Sequence, residues 1–306
     1  MKRSFFAIIN PAAGGGRCGR MAKDALQKLR GAGLEIETAE TTAPGQATAL
    51  ARAAYARGCR QFIAVGGDGT ACEIVNGLFP EAAGGLPASP QEHPALGFLP
   101  LGTGNSFLRD FTDRGAEHSA AAILEARRRP CDVLRLRHAA GDLYFINLLS
   151  VGFAADAAVA ANRRFKALGQ FGYVLGVLLC LARLRRRAFP LRADDDAQLD
   201  RRRCLFLSFN NSKFTGGKMM IAPQAVTDDG WIEYVRWGPV GRLQLVVNFS
   251  SLFDGSHIQH PQASRRAVRH IEFQLSEPVD VMIDGETLTL DCRAIDVLPR
   301  ALDVLV

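Results

Sequence analysis

The sequence predicts two domains: an amino-terminal α/β domain with a parallel sheet, flanking helices and three glycine loops, then a mostly antiparallel β domain. Strand-like and helix-like segments alternate as far as residue 130, and a glycine-rich loop follows three of the apolar strands. Beyond residue 130, short strands at turn-rich spacing dominate. A chain of 306 residues with 48% hydrophobic content is long enough to bury two cores.

The predicted α/β domain covers residues 1–130. Strands are expected at 5–9, 34–40, 61–65 and 96–99, and helices at 19–31, at 46–57, directly after residue 65, and at 116–128. This alternation is typical of a parallel sheet with crossover helices, whose ligands are bound by loops at the carboxyl ends of the strands. The loops after Ile9, Val65 and Leu99 are therefore expected at one sheet edge.

The predicted β-rich domain covers residues 131–294. Its expected strands are a hairpin of 132–138 with 143–148, then 204–209, 231–237, 271–275, 279–283 and 287–290, interrupted by a helical region around 155–187. A cleft between two domains is the usual position of a ligand site.

The second glycine loop, Gly66-Gly67-Asp68-Gly69-Thr70, has the clearest functional pattern. Apolar residues recur at helical spacing after it, so a helix begins there with free N–H groups that suit a nucleotide phosphate. A structural alternative is a capping box, in which Thr70 and Glu73 close the helix end. Asp68 is harder to explain as structure, because an acid repels a phosphate unless Mg²⁺ or a hydrogen-bond donor lies between them.

The other two glycine loops are less specific. Residues 14–19 match the G-x-G-x-x-G dinucleotide pattern, with Glu37 and Glu40 near the distance expected for a ribose contact. However, residues 10–13 separate the strand from the first glycine, and residues 20–21 lack the Lys and Ser/Thr of a P-loop. The third loop, Pro100 to Asn105, again offers N–H groups and a hydroxyl to an anion, or simply makes a tight turn.

Two turns in the β-rich half contain acids. Asp284-Gly285 lies between alternating apolar runs and predicts a hairpin, yet Glu286 could project into a cleft and accept a proton from an attacking hydroxyl. Similarly, Asp228-Asp229-Gly230 is either a plain turn or an oxygen-rich metal site that uses Asp229 and nearby carbonyls.

The net charge and the cysteine pattern bear on the possible binding partners and the cellular compartment. The net charge of +6 suits an anionic nucleotide, membrane surface or nucleic acid without choosing among them. Seven scattered cysteines argue against a disulfide framework and a zinc site and favour a reducing cytoplasm. The apolar stretch 173–184 is too short to span a bilayer, but with Arg185, Arg186 and Arg187 it could lie on an anionic leaflet; alternatively it is a core helix with a solvated basic end.

Together these motifs resemble the diacylglycerol-kinase catalytic family of lipid kinases, which includes bacterial diacylglycerol kinases and sphingosine kinases. The likeness spans nearly the whole chain in the same order. Three of the matching motifs are the glycine loops: Asn10-Pro11 with the first glycines, 66–70 with Glu73 and 76–78, and 100–105 with Phe107 and Arg109. The others lie in the β-rich half: Asn210-Asn211, Gly216-Gly217, Ala222-Pro223, 228–230 and 284–286.

The resemblance implies ATP and Mg²⁺ as cofactors, and it assigns roles to particular residues. It implies nucleotide contacts from Asn10, Thr41, Gly66, Gly67, Asp68, Gly69, Thr70, Ala71, Cys72, Gly102 and Thr103, and catalytic roles for Glu286 as proton acceptor, Asp68 and Asp284. It also implies a structural Mg²⁺ at Asp229, completed by the carbonyls of Val226 and Trp231, and a return of residues 295–306 to the first domain.

Four positions depart from the family pattern. Cys72 stands where Asn is common, Ser106 where Asp is usual, Ala13 where Ser is common, and Lys218 where a third glycine is frequent. Loss of the acid at Ser106 could change the substrate or lower the activity.

The leading hypothesis is therefore an ATP-dependent lipid kinase that phosphorylates a hydroxyl of a diacylglycerol- or sphingoid-type lipid. Its expected setting is cytoplasmic, with a transient peripheral visit to a membrane and no nucleic-acid partner; a homodimer is left open. The alternatives are an NAD kinase, a nucleotide- or lipid-binding protein without catalysis, and, more distantly, a dehydrogenase. The sequence does not identify the lipid.

Overall fold

A computed structural model describes residues 4–79, 93–164 and 179–306. The helices are α1 (Arg17–Gly31), α2 (Gln46–Ala56), α3 (Asp68–Leu78), α4 (Gly115–Glu125), α5 (Phe153–Arg164), α6 (Arg242–Val247) and α7 (Ser251–Asp254). The strands are β1 (Ser4–Ile9), β2 (Glu35–Glu40), β3 (Gln61–Gly66), β4 (Ala95–Pro100), β5 (Arg128–His138), β6 (Gly141–Phe145), β7 (Leu148–Gly152), β8 (Arg187–Ala188), β9 (Leu191–Ala193), β10 (Arg203–Cys204), β11 (Phe206–Asn210), β12 (Phe214–Thr215), β13 (Met219–Met220), β14 (Ile232–Trp237), β15 (Ala263–Val268), β16 (His270–Phe273), β17 (Val279–Ile283), β18 (Glu286–Leu290) and β19 (Cys292–Leu305).

The amino-terminal half is a parallel sheet with helices on both faces. Its strand order is β2-β1-β3-β4, and the end of β19 continues the sheet in parallel beside β4. One face packs on α2 and α3 around residues such as Phe62 and Ile74, and the other on α1 and α4 around Leu26 and Ile123. The glycine loops after β1, β3 and β4 consequently share the carboxyl edge of this sheet.

The carboxyl-terminal half is a sandwich. A second, antiparallel sheet has the order β15-β14-β11-β7-β17-β18. Its inner face packs on β5, β16 and β19 through a core that includes Leu136, Phe209 and Ile295. Its outer face is covered by α5, α6 and α7, with Phe206 and Trp237 buried beneath them.

Two long strands run from one half into the other. β5 and β19 pair antiparallel from Arg128 opposite Leu305 to His138 opposite Cys292. Cys131 on β5 belongs to the amino-terminal core, whereas Leu134 on the same strand belongs to the sandwich core. The two halves are therefore joined through continuous backbone ladders rather than through a flexible linker.

The predicted fold class is confirmed, and most elements lie within a few residues of their predicted positions. The predicted single strand 143–148 is wrong, however: β6 ends at Phe145 and β7 begins at Leu148. The backbone N–H groups of residues 146–148 turn instead toward the carboxylate of Asp284. The β5–β6 hairpin also extends the first sheet instead of joining the second.

Among the residues that the structure describes, no helix is long and apolar enough to cross a bilayer. Of the predicted apolar segment 173–184, residues 173–178 lie outside the described residues. In the remainder, Leu181 and Leu184 pack partly against the outer core of the second sheet, and Arg185 and Arg186 are exposed.

Candidate active site

The three glycine loops meet at the carboxyl edge of the parallel sheet. The second and third loops touch, because a Cβ atom built on Gly102 would lie 2.5 Å from the Cα of Gly67. The first loop reaches the third, since a Cβ on Gly14 would lie 2.7 Å from the carbonyl oxygen of Leu101 and Arg17 donates hydrogen bonds to the carbonyls of Leu101 and Gly102. Only residues without a side chain allow this approach.

The second loop forms the amino terminus of α3. The helix begins at Asp68, and its N-cap residue, Gly67, has no side chain with which to cap this end. The capping-box interpretation is therefore wrong: Glu73 instead accepts hydrogen bonds from Gly45 N–H and Ala47 N–H at the start of α2. The Thr70 hydroxyl is buried and has no partner among the described residues. A buried hydroxyl without a partner, at the amino terminus of a helix, fits an anionic oxygen such as that of a phosphate.

Asp68 holds the third loop in place. Its carboxylate accepts hydrogen bonds from Ser106 N–H at 2.9 Å and Phe107 N–H at 3.3 Å, at the start of a 3₁₀ turn. Loss of solvent raises the pKa of this carboxyl group, against the lowering effect of those hydrogen bonds. The donor that an acid beside a phosphate loop requires is thus supplied by the protein backbone.

Asp284 anchors the β17–β18 turn. Its buried carboxylate accepts hydrogen bonds from the N–H groups of Ile146, Asn147 and Leu148 at 3.0–3.1 Å. Burial raises its pKa to about 7, although the three N–H groups act in the opposite direction. Its φ of 47° lies in the left-handed region, which an aspartate tolerates in a tight turn. These contacts fix the position of the neighbouring Glu286.

Glu286 lies in the cleft, against the second glycine loop. A Cβ atom built on Gly69 would lie 2.5 Å from Oε1 of Glu286, so the carboxylate rests directly on this loop. The side chain is exposed to the cleft. The sandwich half therefore presents one carboxylate to the amino terminus of α3 in the α/β half.

The cleft between these elements has a volume of about 540 Å³, within the roughly 300–1,000 Å³ typical of small-molecule sites. Among the predicted site residues, it is lined by Asn10, Gly67, Asp68, Gly69, Thr70, Gly102, Thr103, Asp284 and Glu286. Four of the predicted nucleotide contacts do not line it. The Thr41 N–H donates a hydrogen bond to the Ile9 carbonyl, and the Gly66 carbonyl accepts one from the Gly102 N–H. Ala71 is buried in the core of the α/β half and Cys72 in the core of the sandwich.

Sequence reasoning missed four lining residues, Asn147, Ala158, Thr215 and Met282. Asn147 lies in the break between β6 and β7, and its side chain is hydrogen-bonded to Ser212 Oγ. A polar residue inside an otherwise apolar run was the available signal. Thr215 and Met282 carried no comparable signal, because both lie in ordinary strand patterns.

Two departures from the family pattern acquire a structural explanation. The Ser106 hydroxyl accepts a hydrogen bond from Gly217 N–H at 2.9 Å, and the same side chain helps to hold Asp68. Ser106 thereby connects the α/β half to the turn before β13. Lys218 is exposed next to that turn and lines a separate open pocket with Arg109.

The turn proposed to hold a metal lies away from the cleft, against a bulge in β19. Asp132 accepts hydrogen bonds from Gly230 N–H and Arg300 N–H, and so joins the turn to that bulge. The Asp229 carboxylate accepts from Trp231 N–H at 2.9 Å, while Val226 and Trp231 are exposed. No group of three or more His, Cys, Asp or Glu side chains suited to a metal occurs in the described residues. An ion here would depend on one carboxylate and carbonyl oxygens.

A narrow apolar cavity adjoins the cleft. It lies between the outer face of the second sheet and α5, α6 and α7, and Thr215 and Met282 border both spaces. Its free interior is only about 50 Å³, but two flexible methionines, Met219 and Met282, form part of its wall.

Comparison with known proteins agrees with this arrangement. Residues 4–136 match the diacylglycerol kinase catalytic domain, and residues 147–306 match the YegS C-terminal NAD kinase beta sandwich-like domain. These matches define the class: a kinase-type α/β domain joined to a β sandwich.

Similar proteins that match nearly the whole chain indicate the same family. A diacylglycerol kinase of Bacillus subtilis (strain 168) is 27% identical over 94% of this chain and 90% of its own length, and one of Mycobacterium tuberculosis is 26% identical over 98% and 94%. A solved structure from Bacillus anthracis, provisionally assigned as a diacylglycerol kinase, shares the fold with a TM-score of 0.76 at 22% identity, over 99% of this chain and 95% of that one. The chain belongs to the diacylglycerol kinase catalytic-domain family.

Proposed function

We propose that this protein is an ATP-dependent kinase that phosphorylates the hydroxyl of a diacylglycerol- or sphingoid-type lipid. The observation that carries the proposal is the carboxylate of Glu286 resting on Gly69, at the amino terminus of α3. A carboxylate suited to accept a proton thus lies beside the glycine loop that we propose binds phosphate. The family membership supports the same reaction.

In the proposed reaction, the triphosphate of ATP lies along the glycine loops. The amino terminus of α3 and the Thr70 hydroxyl, which has no partner among the described residues, bind its oxygens. Glu286 takes the proton of the acceptor hydroxyl, whose oxygen attacks the γ-phosphorus while the bond to the β-phosphate oxygen breaks. Bound Mg²⁺ would neutralise part of the charge on the phosphates. Asp68 and Asp284 act by positioning the third loop and Glu286.

The neighbouring apolar cavity favours a lipid acceptor. It is lined by carbon-rich side chains and contacts the cleft at Met282, so a chain bound there would reach toward Glu286. Since about 50 Å³ does not hold a fatty chain, the wall must open on binding. Two buried polar groups in that wall, Ser150 Oγ and Trp237 Nε1, lack partners among the described residues and suit the oxygens of a lipid ester or hydroxyl.

The test is a phosphorylation assay with purified protein, Mg²⁺, labelled ATP and separate lipid and nucleotide acceptors. We expect label transfer to a diacylglycerol or a sphingoid base in mixed micelles. NAD is included because the carboxyl-terminal half matches a NAD kinase-like sandwich. Label on NAD and on no lipid would replace the proposal with an NAD kinase, and nucleotide binding without any transfer would replace it with a binding protein.

Gly69→Ala should lower turnover without unfolding the protein. The new Cβ would lie 2.5 Å from Glu286 Oε1, the mobile end of a side chain, so the carboxylate moves while the backbone remains. We expect kcat to fall about 10- to 100-fold, since a small misplacement of a catalytic group has effects of this order. Gly31→Ala is the matched control, because a Cβ there meets nothing within 4 Å. Equal kcat values for the two variants would remove Glu286 from its proposed position.

Asp229→Asn should abolish stabilisation by Mg²⁺. We propose that Asp229 and the carbonyls of Val226 and Trp231 bind the ion, because hard cations prefer oxygen ligands of this kind. Wild-type protein should melt at a higher temperature with millimolar Mg²⁺ than with chelator, and the variant should melt at the same temperature in both. Asp228→Asn is the control. An unchanged Mg²⁺ response in Asp229→Asn would place the ion elsewhere.

A further inference from the structure

The segment that covers the apolar cavity also exposes an unusual apolar surface. Among the large hydrophobic side chains exposed in the described residues, five belong to residues 243–253. We call them the docking face: Leu243 (77% exposed), Val246 (55%), Val247 (67%), Phe249 (37%) and Phe253 (45%). An apolar patch of this kind on a surface marks an interaction site.

Basic side chains border the docking face. Arg242 donates hydrogen bonds to the carbonyls of Leu181 and Ala182, acceptors that leave its positive charge uncompensated. Arg186 is anchored similarly on the Val240 carbonyl. On the other side, Phe253 shares an open pocket with Arg109 and Lys218.

Acidic groups near the face are fewer. Among the described residues they are Asp254, whose carboxylate accepts from Ser256, Asp110 and Asp113 in the pocket of Phe253, and Asp156 and Asp280 in a pocket with Arg183, Arg185 and Arg187. Arg183 and Arg185 add further positive charge next to the carbonyls that hold Arg242. The border as a whole is therefore cationic.

We infer that the docking face inserts into an anionic lipid bilayer. Apolar side chains with a rim of arginine and lysine are the combination that lies in a membrane interface, where each basic residue adds attraction to anionic headgroups. A second copy of the chain fits less well, because a two-fold contact would bring two cationic rims together.

The docking face lies next to the apolar cavity that adjoins the cleft. Leu245, Phe249 and Leu252 of the same segment line the apolar cavity, and that cavity reaches the cleft at Met282. A lipid could pass from the leaflet to the cavity without crossing water. The role of the docking face in lipid delivery rests on the proposed function. Membrane binding itself is tested independently of that function.

The test is flotation of the full chain with vesicles of phosphatidylcholine alone, or of equal parts of phosphatidylcholine and phosphatidylglycerol. Wild-type protein should float with the anionic vesicles, and less so in high salt. The double variant Leu243→Ser with Val247→Ser should bind about tenfold more weakly or worse, since it removes two exposed apolar side chains. Met21→Ser, at a residue 48% exposed on α1, is the matched control and should bind as wild type.

Two further arms make the result decisive. Lys218→Gln should reduce the preference for anionic vesicles, and Glu286→Gln should float like the wild type, so docking is measured apart from catalysis. Equal binding by the double variant and the wild type would overturn the inference. The inference would also be overturned if sedimentation showed a dimeric wild type and a monomeric double variant while the double variant still floated. The docking face would then be a contact between two copies of the chain. Vesicle binding without lipid phosphorylation would preserve the docking face and refute the proposed function alone.

Discussion

Glu286→Gln should reduce lipid phosphorylation by about 10²- to 10⁴-fold, the range in which a positioned general base contributes. The amide keeps the size of the side chain beside Gly69 but cannot take a proton from the acceptor hydroxyl. The loss should appear in kcat, while nucleotide affinity measured by calorimetry stays within about twofold, because the donors of α3 and Thr70 are untouched.

Glu277→Gln is the control for that experiment. Glu277 is exposed and lies before β17, outside the residues that line the cleft. Its replacement should leave kcat unchanged. Full activity of Glu286→Gln would refute the assignment of the base, and a loss of nucleotide binding instead of turnover would make Glu286 a binding residue.

Asp284→Asn should be the most destabilising single change at the site. The carboxylate satisfies three buried N–H groups, and an amide presents one oxygen and an NH₂ group that faces a donor. Leaving a buried donor unsatisfied costs about 1–3 kcal/mol, so we expect the free energy of unfolding to fall by about 2–4 kcal/mol. Asparagine also accepts the left-handed φ of 47°, so backbone strain adds little.

Asp280→Asn on the same hairpin is the matched control, because among the described residues that carboxylate accepts a hydrogen bond only from the exposed Thr289 hydroxyl. Denaturant unfolding should show little change for it. If the two variants were equally stable, the anchoring role of Asp284 would be wrong. Asp284→Asn should also lower kcat, since the turn that carries Glu286 would lose its attachment to residues 146–148.

The same carboxyl group predicts a pH dependence of stability. Its pKa is about 7 in the folded protein and about 3.9 in an unfolded chain. Between these values the folded state holds a proton that the unfolded state has lost. The contribution of this proton to stability is therefore complete below pH about 4 and is lost as the pH rises through 7. The difference in unfolding free energy between wild type and Asp284→Asn should therefore shrink by up to about 1.4 kcal/mol per pH unit in this window. A constant difference would indicate that Asp284 is ionised throughout.

Much of the fold was predictable because its signals are local. Each glycine loop follows an apolar strand, and parallel strands bring their carboxyl ends to one edge, so the meeting of the loops could be expected. The order of motifs likewise anticipated that an acid from the β-rich half would face them.

The features that the sequence did not predict depend on contacts between segments far apart in the chain. Glu73 looked like the partner of Thr70 in its own helix, yet it closes the start of α2. The predicted strand 143–148 is interrupted because the N–H groups of residues 146–148 bind the carboxylate of Asp284, more than a hundred residues further along the chain. No local pattern identifies that partner. Ser106 looked like a lost acid, whereas its hydroxyl joins the two halves through Gly217. Such pairings require the tertiary structure.

The ladder between β5 and β19 has a mechanical consequence. Because the backbone of each strand belongs to both cores, bending between the halves would break hydrogen bonds along the ladder. Wide hinge opening is thus unfavourable, and ligand exchange must rely on loops and on the short helices over the cavity. Calorimetry should accordingly show one cooperative melting transition for the whole chain, with neither half surviving the other.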